Sequence, residues 1–316
     1  MARDPGGGTE TTTAQREWLA AVRSATELSD LIALTDADSE HEAYFAAKQR
    51  WYDHRGAELS PAPAPDGLAG STVEIDGRAY TVHGITHADT DAEGEFLRDH
   101  VTEFVESGHD VYCEQGIRPM YFADFADVCE MDDYRWAMQR CRDLDGDSHL
   151  DEAAGQFDGL REDIDSLTAT IREAAFSVLN TDSDAYTAEV RGVLGDIASG
   201  FLTSHEDLAT GSDFEAFTRT KRAAEDPRHL QELQHYYERR FLPQPLEREW
   251  LRRHDRELEL VTHARNERMA DYAVYHATAG HVHLIVGAAH QPGVSYYLEQ
   301  HRDGERGVDQ FEFVDG

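Results

Sequence analysis

Two apolar segments with the character of β-strands stand far apart in this chain and end in the same way. The segment "YTVHGITH" at residues 80–87 and the segment "HVHLIVGAAH" at residues 281–290 each reach a glycine and present a histidine three residues later. A glycine at a strand end permits a sharp turn or a close approach of two backbones. We therefore predict that the two segments share one sheet and bring His87 and His290 together, although roughly 200 residues separate them.

Strand patterns occur at both ends of the region that starts near residue 71, and helical patterns fill its middle. The first end has an alternating hairpin pattern around Asp76-Gly77 and a short strand that ends at Glu114. The last end has the strand before Gly287 and a predicted strand at residues 310–314. We expect an α/β or α+β fold, with a mixed central sheet formed by the N- and C-terminal parts of the domain and a long helical insertion.

The composition divides the chain into three predicted parts. Residues 1–13 are rich in glycine and threonine and are predicted to be a disordered tail. Residues 14–70 are predicted to form a helical N-terminal extension and a proline-rich linker, and residues 71–316 a domain with a helical middle at 121–279. The sequence leaves open whether residues 14–55 form a separate element or a lid over the site.

The charge of the chain is strongly negative. It has 63 acidic and 29 basic residues, a formal net charge of -34, and Lys48 and Lys221 as its lysines. Such a charge repels itself in dilute buffer, whereas molar salt shortens the screening distance to about 3 Å, so the composition indicates adaptation to a salt-rich cytoplasm. Because no basic stripe is visible, nucleic acid and anionic membrane are not expected partners.

Cysteine spacing and hydropathy favour a cytoplasmic protein. Cys113, Cys129 and Cys141 lack the close pairs of a zinc ribbon or a redox motif, so we expect reduced thiols. The first residues have no apolar core for a signal peptide, and no window reaches 18 apolar residues. The expected partner is a peptide or a small-molecule substrate, and the oligomeric state stays open, a homodimer included.

The strand ends suggest a candidate active site. Two imidazoles and a carboxylate at one sheet edge can bind a divalent ion, with manganese, cobalt and zinc all suitable, and can leave positions open for water. Glu114 is the candidate carboxylate because it follows an apolar strand, as a metal ligand or as a general base. A surface glutamate at a loop entrance is the simpler reading. His83, His281 and His283 lie within strands, so we expect packed or hydrogen-bonded core histidines.

A helix before the last histidine-bearing strand holds Arg265 and Asn266 in "HARNERMADY". An arginine there is most often solvated or salt-bridged, but a guanidinium that reaches the site can hold a substrate carboxylate or a developing oxyanion.

The order of these motifs resembles the TraB/PrgY/GumN family, whose wider group includes the Tiki proteases, with the composition of an acidic, haloarchaeal-type member. The order is strand-G-x-x-H, a strand-ending glutamate followed by "GIR", a long helical region, "RNxxMA" and "LIVGAAHxxG". The matching residues are Gly84, His87, Glu114, Arg118, Arg265, Asn266, Met269, Gly287, His290 and Gly293.

The resemblance implies a mixed sheet packed with helices and a site that contains both histidine turns. It implies that His87, Glu114 and His290 act in catalysis or hold a divalent metal, with Arg265 as a further catalytic residue. Arg118 and Asn266 are expected to bind substrate, and Gly84, Gly287 and Gly293 to form structural turns. In the Tiki branch the activity is a metal-dependent protease, whereas in related erythromycin esterases histidine and glutamate are thought to activate water without a metal.

Two functions are therefore expected from the sequence. The first is a hydrolase that acts on a peptide or ester bond. The second is a non-catalytic protein that sequesters a peptide or another small ligand, as the relatives that inhibit peptide pheromone signalling suggest.

Overall fold

A five-stranded mixed sheet joins the two ends of the domain. A computed structural model describes residues 12–59, 67–144 and 214–314. Its strands are β1 (Ser71–Ile75), β2 (Arg78–Ile85), β3 (Asp110–Cys113), β4 (Val128–Glu130) and β5 (His281–Gly287). They lie in the order β1-β2-β5-β3-β4, with β1 antiparallel to β2 and every other pairing parallel. The expected mixed α/β fold is confirmed.

The register brings the ends of the parallel strands level with one another. Ile85 of β2 pairs with Gly287 of β5, and Cys113 of β3 pairs with Ile285 of β5. Parallel strands end at the same edge of a sheet, and ligands of open α/β sheets bind beyond that edge. The loops after β2, β3 and β5 therefore share one edge.

Helices surround this sheet on both faces and precede it in the chain. Those up to residue 144 are α1 (Thr13–Ser24), α2 (Leu28–Thr35), α3 (Glu40–Glu58), α4 (Asp91–Glu106), α5 (Arg118–Tyr121) and α6 (Asp133–Asp143). The later ones are α7 (Phe214–Glu225), α8 (Leu230–Arg240), α9 (Gln244–His254), α10 (Arg256–Glu259), α11 (Arg265–His276) and α12 (Gln291–Arg302). Among the helices of the described ranges, none has both the length and the apolar character that a bilayer crossing requires.

Each face of the sheet has its own apolar core because strand side chains alternate between the two faces. On one face, Val82 and Leu284 pack with Met269 of α11 and Leu298 of α12. All four side chains are buried, and burial of such a side chain contributes about 1.5–3 kcal/mol.

The opposite face packs against α4 and α8. Val111 and Ile285 share a core with Leu97 and Val101 of α4 and with Leu233 of α8. The sheet is therefore covered on both sides, as parallel strands require.

The first three helices form a third apolar cluster with the later helical region. Leu19 and Leu31 pack with Leu246 of α9, and Trp51 Nε1 donates a hydrogen bond to the carbonyl oxygen of Glu238 at 3.2 Å. The N-terminal helices thus pack against α8 and α9. Residues 1–11 of the predicted tail and 60–66 of the linker lie outside the described residues.

Two parts of the predicted helical middle differ from the sequence-based prediction. The strand β4 lies inside the predicted helical middle, and its three residues are too few to show a period of two. Later in the same predicted helical middle, the helix is broken at Asp255, whose side chain accepts a hydrogen bond from the Leu258 amide and caps a new helix. Residues 145–213 of the predicted helical middle lie outside the described residues.

The predicted strand at residues 310–314 is not formed. The amide of Val314 donates to the carboxylate of Asp132 at 2.9 Å, and the Arg268 guanidinium donates to the carbonyl oxygen of Glu312. The backbone of this segment is therefore held by side chains, without a partner strand.

The three cysteines are free, as expected. Cys113 and Cys141 are buried, and Cys129 is exposed.

A chain of hydrogen-bonded histidines crosses the α4 face of the sheet. His83 Nδ1 lies 2.9 Å from the carbonyl oxygen of Ala69, His83 Nε2 lies 3.0 Å from His283 Nδ1, and His283 Nε2 lies 3.0 Å from His109 Nδ1. A carbonyl oxygen can only accept, so His83 carries its proton on Nδ1 and accepts at Nε2. By the same argument His283 and His109 are protonated on Nδ1. All the hydrogen bonds between these histidines therefore point in the same direction.

The expectation of buried core histidines is confirmed for His83 and His283 and is wrong for His281. His83 and His283 are buried, whereas His281 is exposed and its ring stacks on His109 at a centroid distance of 4.8 Å. Burial lowers the pKa of His83 to about 4. Burial and the neighbouring histidines lower the pKa of His283 to about 3.

The histidine chain predicts a loss of stability in acid. In the unfolded chain these imidazoles become protonated below about pH 6.5. In the folded chain His83 stays neutral down to about pH 4, so the unfolded chain binds more protons between these two pH values. The unfolding free energy should fall by about 1.4 kcal/mol per pH unit for each such histidine. Denaturant unfolding of the wild type and of the His83→Gln variant in molar salt, from pH 7.5 to pH 4.5, should show a shallower slope in the variant.

An exposed histidine provides the control. His41→Gln, on the solvent side of α3, should leave the slope at the wild-type value. Equal slopes for all three proteins would show that the folded chain admits a proton at His83.

Candidate active site

The strand ends bring His87, Glu114 and His290 into one cluster. Glu114 lies between the two imidazoles: its Oε2 is 3.4 Å from His87 Nε2, and its Oε1 is 3.5 Å from His290 Nε2. Glu114 and His290 are buried, whereas 32% of the His87 side chain is exposed. The two Gly-x-x-His turns therefore meet at one carboxylate. Of the three side chains, His87 is the one that is open to solvent.

Arg265 completes an ionic network around Glu114. It is the first residue of α11, directly after a π-helical turn at Leu260–Ala264. Its guanidinium pairs with the Glu114 carboxylate and lies 2.6 Å from Asp133 Oδ2, and its Nη1 lies 3.3 Å from His290 Nε2. Arg265 is buried, so this cation and its two carboxylates are shielded from solvent and attract each other more strongly than surface pairs do.

The hydrogen bonds of His290 determine its tautomer. Asn266 Nδ2 donates to Gln244 Oε1 at 3.1 Å, which leaves Asn266 Oδ1 as the acceptor that lies 2.6 Å from His290 Nδ1. His290 therefore carries a proton on Nδ1 and directs Nε2 toward the Arg265 guanidinium. Asn266, predicted to bind substrate, lies where it orients this imidazole.

The two carboxylates that share Arg265 differ in pKa. Burial alone would raise the pKa of Glu114, but the charge of Arg265 and the adjacent imidazoles of His290 and His87 together hold it well below its usual range. The pKa of Asp133 is raised, because burial outweighs its attraction to Arg265 and the Glu114 charge adds repulsion. Glu114 is therefore ionised at neutral pH.

Three glycines make room for these contacts. A Cβ atom at Gly287 would lie 2.5 Å from His87 Nε2, and one at Gly293 would lie 2.0 Å from Asn266 Nδ2. At Gly84 a Cβ atom would lie 2.8 Å from the Cα atom of Ala288. The glycines of the motifs are thus required because backbone and side chains approach each other closely.

A buried carboxylate clamps the turn that carries His87. The backbone of His87 has a φ of 56°, in the left-handed region that costs about 1 kcal/mol or more for a residue with a side chain. Glu93 of α4 is fully buried and accepts hydrogen bonds from the Thr86 amide at 2.8 Å, the Thr86 hydroxyl at 2.7 Å and the Tyr121 hydroxyl at 2.7 Å.

The clamp holds both sides of His87. The Thr86 hydroxyl accepts from the Ala88 amide at 3.2 Å, and the Tyr121 hydroxyl accepts from the Asp89 amide at 2.9 Å. Burial and the nearby Glu93 charge raise the pKa of Tyr121, so its hydroxyl stays protonated as a donor. These bonds offset the cost of the unusual backbone conformation.

The side chain of Arg118 binds backbone carbonyl groups outside this cluster. Its guanidinium donates to the carbonyl oxygens of Val128 at 2.9 Å and Phe125 at 3.2 Å, where it holds the chain before β4. Its role in substrate binding stays a prediction.

The sequence analysis missed Asp133, Glu93, Tyr121 and Gln244. Asp133 follows β4 just as Glu114 follows β3, so recognition of that short strand would have indicated it. Glu93 reads as an ordinary first-turn acid of α4, and only its burial distinguishes it.

The arrangement does not fit a divalent metal at His87, Glu114 and His290. A metal requires the imidazole lone pairs and a carboxylate oxygen to converge at about 2.0–2.2 Å from one point. Here the Arg265 cation faces both Glu114 and His290, and Glu114 Oε2 accepts from the Gly287 amide at 2.8 Å. Across residues 12–59, 67–144 and 214–314, no group of three His, Cys, Asp or Glu side chains is arranged to hold a metal ion.

Comparisons of the chain with protein-family models, with curated proteins and with solved structures give no significant match.

The clamp on His87 predicts unequal effects of two substitutions at Glu93. Glu93→Ala leaves the Thr86 amide and two hydroxyls without their buried acceptor, so the unfolding free energy should fall by about 3 kcal/mol or more. Glu93→Gln keeps one acceptor oxygen, and its amide can donate to the Thr86 and Tyr121 hydroxyls, so about half of that loss should be recovered. Urea unfolding in molar salt measures both variants.

Glu95 on the same helix is the matched control because its side chain is exposed. Glu95→Ala should change the unfolding free energy by no more than about 0.5 kcal/mol. Equal effects of Glu93→Ala and Glu95→Ala would contradict the clamp.

Proposed function

We propose that this chain is a hydrolase in which His87 activates water for attack on a peptide or ester bond. The observation that carries the proposal is the placement of His87. Its Nε2 is enclosed and faces the Glu114 carboxylate at 3.4 Å, while about a third of the side chain is exposed. A histidine held by an ionised carboxylate on one side and open on another is the arrangement of a general base.

The ionised carboxylate also selects the reactive nitrogen. Glu114 has a pKa well below its usual range, because Arg265 and the two histidines outweigh the effect of burial, so it can only accept a hydrogen bond. In this proposal His87 carries its proton on Nε2, which faces Glu114 at 3.4 Å, and the lone pair of its neutral ring lies on Nδ1. In this proposal Nδ1 is the base.

The reaction then proceeds by ordinary acyl hydrolysis. His87 Nδ1 takes a proton from water as the water oxygen bonds to the carbonyl carbon, and the carbonyl electron pair moves to the oxygen to give a tetrahedral oxyanion. As the oxyanion collapses, the bond to the leaving alcohol or amine breaks, and the leaving group takes the proton back from His87. Glu114 stabilises the imidazolium in between, and such catalysis contributes about 10²–10⁴-fold.

Arg265 and His290 act through Glu114 in this proposal. The guanidinium keeps the carboxylate ionised and oriented, and His290 Nε2 faces the guanidinium at 3.3 Å. Asp133 holds the other edge of the guanidinium.

We also propose that the chain is of the TraB/Tiki-like type, on the support of its motif order. The position of Arg265 favours water activation without a metal. A manganese, cobalt or zinc ion at His87, Glu114 and His290 would require Arg265 to move aside.

A non-catalytic protein that sequesters a peptide or a small ligand is the second candidate. One observation favours this candidate. The hydrogen bonds described for Arg265 are made to groups of the protein itself, namely Asp133, Val261, His290 and Glu114, and not to the position of a developing oxyanion.

A panel of chromogenic esters and fluorogenic peptides, assayed in molar KCl, tests the hydrolase. We expect turnover that falls by at least about 10²-fold in His87→Ala and in Glu114→Gln, because each removes part of the base. His41→Gln, far from the site on α3, should retain wild-type turnover. Treatment with a chelator should leave the activity unchanged.

The outcomes separate the candidates. Activity that is lost with the chelator and restored by manganese, cobalt or zinc would replace the metal-free form by the metal form. Tight binding of a panel member without turnover would favour sequestration, and turnover that survives Glu114→Gln would contradict the role of His87.

A further inference from the structure

A cleft outside the candidate active site has arginine as its most frequent lining residue. It has a volume of about 410 Å³, within the range of small-molecule sites. Leu260 and Ala264 of the π-helical turn and Trp136 of α6 form its apolar wall. Five arginines from four parts of the chain line it: Arg140, Arg248, Arg252, Arg268 and Arg306.

The cleft is far less negative than the chain as a whole. The sequence has more than two acidic residues for each basic one, 63 against 29. The cleft has five arginines, three carboxylates in its lining, and two adjacent carboxylates, Asp132 beside Arg268 and Asp143 beside Arg140. In a protein with a formal charge of -34, a region of balanced charge is one that an anionic ligand can approach with little repulsion.

The three carboxylates are already engaged by two of the less exposed arginines, Arg248 and Arg306. Arg248 donates to Glu259 at 2.5 Å and also pairs with Glu267. Arg306 pairs with Glu267 at 2.7 Å and with Asp271 at 2.5 Å. The carboxylates of the cleft are therefore neutralised by Arg248 and Arg306.

The remaining donors belong to the more exposed arginines. Arg252 lies one helical turn after Arg248 on α9, and its Nε is 3.3 Å from the same Glu259 oxygen that Arg248 holds at 2.5 Å. Arg140 on α6 lies 3.7 Å from Asp143, and both of those side chains are more than half exposed. Each guanidinium has five N–H donors, so these two arginines have more donors than the described carboxylates use.

We propose that this cleft binds a small phosphate-bearing molecule, with Arg252 and Arg140 donating to the phosphate oxygens and Trp136 against the rest of the ligand. Planar guanidinium groups bind phosphate through paired N–H donors, and the two arginines face the cleft from different helices. An ion-pair network of purely structural function accounts for Arg248 and Arg306. Arg252 contacts that network through Nε, 3.3 Å from Glu259, and has four further N–H donors.

Calorimetric titration of the full chain with inorganic pyrophosphate, in molar KCl, tests the site. We expect binding that weakens by about tenfold or more in Arg252→Gln, and further in the Arg252→Gln/Arg140→Gln double variant. Arg252→Lys keeps the charge but loses the planar pair of donors, so it should fall between the wild type and Arg252→Gln.

Arg253 provides a matched control on the same helix. Its side chain is 45% exposed against 54% for Arg252, but it pairs with Glu40 and Glu249 and does not line the cleft. Arg253→Gln should bind pyrophosphate as the wild type does. Equal weakening by both substitutions would show a general effect of surface charge and overturn the proposal.

Two further outcomes would also overturn it. The first is the absence of binding heat with pyrophosphate. The second is binding of citrate that is tighter than that of pyrophosphate, which would indicate a carboxylate site. The result does not depend on His87 chemistry, since His87→Ala should bind pyrophosphate normally even if the hydrolase proposal fails.

Discussion

The buried guanidinium of Arg265 is the group on which the rest of the candidate site depends. It contacts Glu114, Asp133 and His290, which follow three different strands, and each of these groups is buried. Removal of a charge from water costs several kcal/mol, so such a group is stable inside a protein only with well-placed partners. The sheet supplies them, because its parallel strands end level with one another and deliver their loops to one edge.

Much of this convergence could be predicted from sequence. The two Gly-x-x-His turns indicate that the strands before them, β2 and β5, are neighbours, and the structure pairs them residue for residue. The same motif glycines indicate close approach, which Gly287 and Gly293 show as space occupied by His87 and Asn266. Short motifs at strand ends are informative because a single glycine there reflects a local steric need.

The remaining features depend on long-range contacts that leave little trace in local sequence. Asp133 joins the site because β4 adds a three-residue strand to the sheet edge, and three residues give no periodicity to detect. Glu93 acts through burial, and an acidic residue in the first turn of a helix is common on the surface as well. Segment 310–314 has an apolar alternation typical of a strand, but Asp132 and Arg268 bind its backbone.

The central claim is that Arg265 and Glu114 form one coupled, buried unit, and a double-mutant cycle tests it most directly. Arg265→Met alone leaves buried carboxylates without their cation, so the unfolding free energy at pH 7 should fall by about 3–5 kcal/mol. Adding Glu114→Gln removes one of those charges, and the double variant should therefore lose at least about 2 kcal/mol less than the sum of the two single losses. Additive losses would mean that the two side chains do not share a buried contact in solution, and the account of the site would be contradicted.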